Sequence, residues 1–284
     1  MQLIRENYPN VSIYEVNENV GFSKANNIGA AKSTGNILYF QNIDIAYEQI
    51  DFFEKLLGCK NSTDSNIVGP RILGFDGKDP SGGKYLGMDV FSYCGVSDKP
   101  FYIEGCGLLI TKQDFNTLGG FDDKYFMYSE DIDLCWRARI FGMSLAVCED
   151  AKLFHYGGGI STHTRNRSVG DHAVPVFRRY EVEKNNLRNM LKNYGVVNIL
   201  WTLPMFLALN ILEVLLYLLL LKLSVARMVL GSIFWNIRNL KDTLIIRKYI
   251  QAHRKVGEIA IMKYMDIKIN KLVAFSRVGI PKFL

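Results

Sequence analysis

The run Ser23-Lys24-Ala25-Asn26-Asn27-Ile28-Gly29-Ala30-Ala31, followed after Gly35 by Asn36-Ile37-Leu38-Tyr39-Phe40-Gln41-Asn42-Ile43-Asp44, decides the fold. Its first part, rich in alanine and asparagine, reads as a helix. The apolar Asn36–Phe40, bounded by Gly35 and the polar Gln41-Asn42, reads as a short buried strand. Upstream, Ser12–Val16 reads as a strand; downstream, Glu48–Leu57 carries apolar residues at helical spacing. Strand, helix, strand, helix implies right-handed βαβ crossovers and hence a mostly parallel α/β sheet flanked by helices. Further along, Gly107–Thr111 and Ser144–Cys148 read as strands, Lys112–Leu118 and Glu130–Phe141 as helices, and Pro70–Pro100 as loops with short strands. There is no internal repeat and no low-complexity segment.

The chain has 284 residues, 49% of them apolar, which is ample for a large core and argues against disorder. Its net charge of +6 is unevenly spread: Lys222–Leu284 carries 13 Lys/Arg against 3 Asp/Glu, so the remainder is net acidic. A basic tail suits either nucleic acid or an anionic membrane surface. The tail has apolar residues at helical spacing and no nucleic-acid motif, so no nucleic-acid partner is expected. The five cysteines stand singly, without a C-x-x-C pair. Neither a zinc site nor a dithiol is indicated, and reduced, mostly buried thiols in a cytoplasmic setting are expected.

Two groups of carboxylates could carry chemistry. Glu130-Asp131-Ile132-Asp133 opens a helix, where unpaired N–H groups and the positive dipole end accept negative charge. Either one of these is a catalytic carboxylate at the mouth of a cleft, or all three are acidic first-turn residues. Asp44 follows the Asn36–Phe40 strand, and ligands of open parallel sheets bind beyond the carboxyl ends of the strands. It could hold Mg²⁺ or Mn²⁺, or simply shape a turn.

Asn17–Gly29, Tyr39–Asp44, Gly105–Ile110, Gly119–Phe126 with Glu130-Asp131, and Lys152–His155 with Gly157–Gly159 occur in one order. In that order they resemble the family 2 glycosyltransferases of the GT-A fold, most closely the rhamnosyltransferase-like branch, over about residues 8–192. The resemblance implies transfer of a sugar, with inversion, from a nucleotide-diphosphate donor to a hydroxyl acceptor in surface polysaccharide or glycolipid synthesis. It implies Asp131 as general base, Glu130 beside the acceptor, and Asp133 as a capping or supporting residue. Asp44 and His155 become the groups that hold Mg²⁺ or Mn²⁺. Asn19, Gly21, Asn26, Asn42, Asp44, Gly105, Gly107 and Arg165 fall on the donor side, with Arg167 beside Arg165. Two departures stand out: the family's first strand and nucleotide-base loop have no counterpart before Met1, and Ile43 occupies a position often Pro or Asp. The alternative is a non-catalytic remnant or membrane scaffold.

The resemblance leaves residues 193–284 as a hydrophobic and basic helical region. Val196–Leu221 is long enough to span a bilayer and contains one charge, Glu213. A carboxylate at mid-span costs about 2.5–3.5 kcal/mol on insertion scales. Arg178, Arg179, Arg188 and Lys192 before it, and Lys222 and Arg227 after it, make both flanks positive. The expectation is therefore interfacial or membrane-embedded helices, lying in or dipping into the cytoplasmic face of the membrane and serving a lipid-linked or polysaccharide acceptor. A buried helical hairpin and a true span are the competing readings.

Overall fold

The computed structural model describes residues 2–74, 83–93, 99–156, 173–280 and 282–283. After a short helix α1 (Gln2–Asn7), the expected first helix forms as α2 (Gly21–Lys32) and leads into β1 (Ile37–Gln41). A brief β2 (Ile45–Tyr47) precedes α3 (Phe52–Thr63) and β3 (Ile67–Leu73). The pairs β4 (Gly83–Gly87) with β5 (Ser92–Tyr93), and β4 with β6 (Tyr102–Ile103), are antiparallel. Then come β7 (Gly107–Thr111), α4 (Lys112–Leu118), α5 (Glu130–Ile140) and β8 (Leu145–His155).

The central sheet has the order β1-β7-β3-β8-β2. The α/β arrangement is as expected, but the ladders are not mostly parallel. Only β3 and β8 pair in parallel, while β7 enters antiparallel between β1 and β3, and β2 pairs antiparallel with β8. Strands β1, β3 and β8 do share one direction; inserting β7 separates β1 from the other two. Strands buried on both faces read as continuous apolar runs whichever way their neighbours point, so the pattern could not reveal this.

Ser12–Val16 is not a strand. Its side chains lie at the surface, with Tyr14 and Val16 exposed, and β1 takes β7 as its ladder partner. The expected Glu48–Leu57 helix starts later, because Ile45–Tyr47 is drawn into the sheet beside β8. Pro70 masked β3 in the sequence. It has no N–H to give, and the register with β8 jumps there: Pro70 faces Cys148 but Arg71 faces Lys152.

Alternate residues of the strands serve two cores. Leu38, Phe40, Leu108 and Ile110 join Trp136 of α5 on one face. Val68, Ile72 and Leu109 join Phe52 and Leu56 of α3 on the other. The first core continues into the C-terminal helices through Met190, Tyr194, Phe206 and Ile250. Those helices are α6 (Val176–Asn193), α7 (Val196–Leu219), α8 (Leu223–Arg238), α9 (Leu240–Ala252), α10 (Glu258–Met262) and α11 (Asn270–Val278). Short strands are β9 (Ala173–Val174), β10 (Met265–Asp266) and β11 (Lys282–Phe283); β11 pairs with β9. β10 adds in parallel to β4, and buried Asp89 accepts from the N–H groups of Asn270 and Lys271, capping α11. The four described cysteines, Cys59, Cys106, Cys135 and Cys148, are free thiols.

Among the described residues, α7 is the one helix long and apolar enough to cross a membrane by length and composition. Its polar residues Asn198, Thr202 and Asn210 are all buried inward, while Val197, Leu200, Ile211, Leu215 and Leu218 form an exposed apolar stripe. Glu213 is matched by Arg179 at 3.2 Å and Lys271 at 2.5 Å. Arg188 and Lys192, counted in the sequence as flanking charges, have fully buried side chains engaged in ion pairs. The positive flank before α7 is therefore thinner than the sequence suggested.

Candidate active site

The β1–β7 register places Gln41 opposite Gly107. Asp44 lies three residues beyond Gln41, and Asp131 is tied to Gly105, two residues before Gly107, whose N–H donates to Asp131 Oδ2 at 3.1 Å. The two aspartates thus belong to the same end of one antiparallel strand pair.

Antiparallel pairing of Ile45 with His155 brings the Asp44 side into contact with the end of β8. Tyr156 N–H donates to the Asp44 carbonyl at 2.9 Å. Asp44 Oδ1 lies 3.3 Å from His155 Nε2, and Asn42 Nδ2 lies 3.3 Å from the same nitrogen. A single ring nitrogen either donates to the carboxylate or accepts from the amide, so only one of these two contacts is a hydrogen bond at a time. One carboxylate and one imidazole fit a divalent ion that takes its remaining ligands from phosphate oxygens and water. Among the described residues no group of three or more His, Cys, Asp or Glu could form a closed metal cage.

The Asp131 side is held differently. Tyr128 and Ser129 both have positive φ, +69° and +64°, a conformation that costs a non-glycine residue roughly 1–2 kcal/mol. Helix α6 restrains them. Asn185 Nδ2 donates to the carbonyls of Met127 (3.0 Å) and Tyr128 (2.7 Å), Ser129 Oγ donates to Asn186 Oδ1 (2.8 Å), and Asn189 Nδ2 donates to the Ser129 carbonyl (3.2 Å). The turn launches α5, whose Ile132 N–H donates to Asp131 Oδ1 at 2.8 Å. Asp131 is partly accessible, whereas Glu130 is buried, and its Oε2 has no hydrogen-bond partner among the described residues. Burial, reinforced by the adjacent Asp131 charge, pushes the Glu130 carboxyl well above the usual carboxylate range.

Beneath the turn lies a buried ionic network. Lys192 Nζ reaches Asp122 at 2.5 Å and Asp133 at 2.9 Å; Arg188 reaches Asp122 at 2.8 Å; Arg137 pairs with Asp133 at 2.8 Å. Burial works against both carboxylates, but the cations outweigh it. Lys192 and Arg188 hold Asp122 below the usual range; Arg137 and Lys192 hold Asp133 below it. Asp133 is thus fully buried and held by Arg137 and Lys192.

The other expected residues divide. Gly21, at φ +80°, is required, because a Cβ there would collide with the Phe126 carbonyl, to which Phe22 N–H donates at 2.6 Å. This joins the Asn19–Gly21 turn, closed by Gly21 N–H to Asn19 Oδ1 at 3.1 Å, to the turn before Asp131. Asn26 donates to the Phe22 carbonyl of its own helix. Gly107 is tightly packed, since a Cβ would lie 3.0 Å from Pro70 and 3.1 Å from the Tyr39 hydroxyl. Gly105 has room for a Cβ at ordinary contact distance and matters here through its N–H. Arg165, Arg167 and Gly157–Gly159 lie outside the described residues.

Sequence reasoning missed Asn27, which donates to the Phe121 carbonyl (2.8 Å) and to Asp123 (2.7 Å) and so fastens α2 to the loop on either side of Asp122. It also missed α6 as a support. The available signal was the group of asparagines Asn185, Asn186, Asn189 and Asn193 set among the apolar Leu187, Met190 and Leu191, polar groups that need partners if the helix packs.

No family model matches the chain. It is similar to the low-salt glycan biosynthesis hexosyltransferase Agl10 of Haloferax volcanii, 26% identical over 151 residues, covering 48% of this chain and 49% of that protein. It is similar to the rhamnosyltransferase WbbL of Escherichia coli, 41% identical over 85 residues (30% and 32% of the two chains). It is also similar to the N-acetylglucosaminyl-diphospho-decaprenol L-rhamnosyltransferase of Mycobacterium tuberculosis, 32% identical over 77 residues (27% and 24%). The chain thus spans about half the length of the first of these relatives and less of the other two. Among solved structures, the mannosyltransferase PcManGT from Pyrobaculum calidifontis, in complex with GDP-Man and Mn²⁺, is 12% identical with a TM-score of 0.48, covering 89% of this chain and 71% of that one. The resemblance expected from the sequence is borne out in its relatives: the chain is rhamnosyltransferase-like.

Proposed function

We propose that this rhamnosyltransferase-like chain is an inverting glycosyltransferase that moves a sugar from a nucleotide-diphosphate donor to a hydroxyl of a lipid-linked or polysaccharide acceptor. The observation that carries the reading is the attachment of Asp44, in contact with His155, and of Asp131 to one end of the β1/β7 pair. In direct displacement the acceptor oxygen attacks the anomeric carbon while the bond to the diphosphate breaks on the opposite face. The acceptor proton passes to Asp131, and the departing diphosphate keeps the bonding electron pair. A divalent ion, when bound, neutralises charge on that diphosphate. Asp44 and His155 would hold it, and Asn42 orients the imidazole. The hydrogen bond from Gly105 fixes the Asp131 carboxylate, and burial beside Asp131 raises the Glu130 carboxyl above the usual range, which disfavours a second negative charge there.

The relatives' names support a glycan product, and one of them includes a diphospho-linked lipid. The exposed apolar stripe of α7, with the basic residues Lys222, Arg227, Arg238, Lys241 and Lys248 on the neighbouring segments, supports helices lying on an anionic membrane surface at its cytoplasmic face. Titration calorimetry with nucleoside diphosphates, with and without Mn²⁺, tests the reading. Metal-dependent binding that is lost in Asp44→Asn is expected, whereas no binding in the wild type would leave only the non-catalytic scaffold.

A further inference from the structure

The first turn of α6 lies between the Asp131 turn and the apolar edge of the C-terminal helices. On one side, the Phe177 ring packs edge-on against Phe126, centroids 5.9 Å apart, and the Arg178 guanidinium sits 5.3 Å from the centre of the Tyr128 ring. Both aromatic partners belong to the loop that precedes Glu130 and Asp131. On the other side, Val176 and Tyr180 pack against Val214, Tyr217 and Val225, which close the turn between α7 and α8. That turn presents Leu219 and Leu221 to the outside, 83% and 84% exposed. Arg179 points inward to Glu183 and Glu213, whereas Arg178 and Phe177 are exposed.

We propose that this turn is the subsite for the diphosphate of a lipid-linked acceptor. Arg178 grips the phosphate oxygens, the Phe126–Phe177 pair offers a face to the attached sugar, and the Leu219–Leu223 turn enters the bilayer that carries the lipid tail. The chemistry fits each part. A guanidinium engages phosphate through two parallel hydrogen bonds. Aromatic rings suit the apolar faces of sugars, and exposed leucines beside Lys222 and Arg227 suit an anionic lipid surface. The role in catalysis rests on the sugar-transfer reading; the binding does not.

The test is sedimentation of the full chain with phosphatidylcholine vesicles containing either a polyprenyl diphosphate or, at matched charge, phosphatidylglycerol. The wild type should prefer the diphosphate vesicles. Arg178→Gln should reduce that preference about tenfold, as expected for loss of a charge-assisted bond, while binding to phosphatidylglycerol persists. Arg178→Lys, which keeps the charge but not the fork, should restore part of it. Absence of a preference in the wild type, or its survival in Arg178→Gln, would overturn the subsite. A wild type that shows the preference yet transfers no sugar from any nucleotide donor would defeat sugar transfer and leave the subsite standing.

Discussion

The two ends of the candidate site are built by opposite means. Asp44 and His155 sit on short segments at the sheet rim, with side chains 25% and 22% exposed and a shared ring nitrogen between two partners. The turn before Asp131 is fastened by three asparagines of α6 above a buried ionic network. In the proposed reaction the first end would readjust as a metal and a diphosphate come and go. The second cannot move without breaking several hydrogen bonds, which suits the base proposed there, since it would have to meet one hydroxyl in one orientation.

The largest effect should come from the rigid end. Asp131→Asn preserves the size of the side chain but removes the proposed base, and turnover should fall by ~10²–10⁴-fold. Thermal unfolding should be lowered only slightly, because the amide oxygen can accept from just one of the two N–H groups, Gly105 and Ile132, that now bind the carboxylate. Retained turnover would end the distinction between the two sides. Asp122→Asn strips buried Arg188 and Lys192 of their common partner and should destabilise the chain by about 3–5 kcal/mol in urea unfolding. The adjustable end is expected to respond differently: His155→Gln should weaken Mn²⁺-dependent nucleotide binding on the order of 10–100-fold, with little change in stability. Asn185→Ala, which frees two carbonyls of the strained turn, should cost about 1–3 kcal/mol and lower kcat while sparing the KM for the donor.

The smallest effect concerns Glu130. Its carboxyl is raised, so the folded state keeps a proton over a range in which the unfolded chain has released it, and stability falls as pH rises above the ordinary Glu value of about 4.3. Glu130→Gln should therefore raise the unfolding midpoint at pH 7, and the advantage should shrink as the pH is lowered. Asp122 and Asp133 carry the opposite sign. Their stabilisation is present above the ordinary Asp value of about 3.9 and is lost as pH falls through their depressed values.

The adjustable end was the more legible in the sequence. Helix α2, strand β1 and the placement of Asp44 follow from a local run of residues, and His155 ends an apolar strand. The rigid end was only half visible. Glu130-Asp131 could be picked out, but Arg188 and Lys192 read as flanking charges of the apolar helix that follows, and Asn185, Asn186 and Asn189 carried no local signal of which partners they meet. Their meaning depends on Tyr128, Ser129, Asp122 and Asp133, more than 50 residues away in the chain. Sheet order failed for a related reason. Nothing local in Gly107–Thr111 tells it to enter between β1 and β3, and Pro70 disguised the strand it would meet.

The β10 strand and the Asp89 cap have a practical consequence for anyone trimming the exposed apolar surface of this protein. Cutting the chain after α7 or α8 would peel a rung from β4 and uncover Leu86, Met88 and Tyr194, all now shielded from water. Such a truncation trades one greasy surface for another. Recolouring the outward leucines of α7 with polar residues, while leaving every residue of the C-terminal third in place, is the route that respects how the molecule is sewn together.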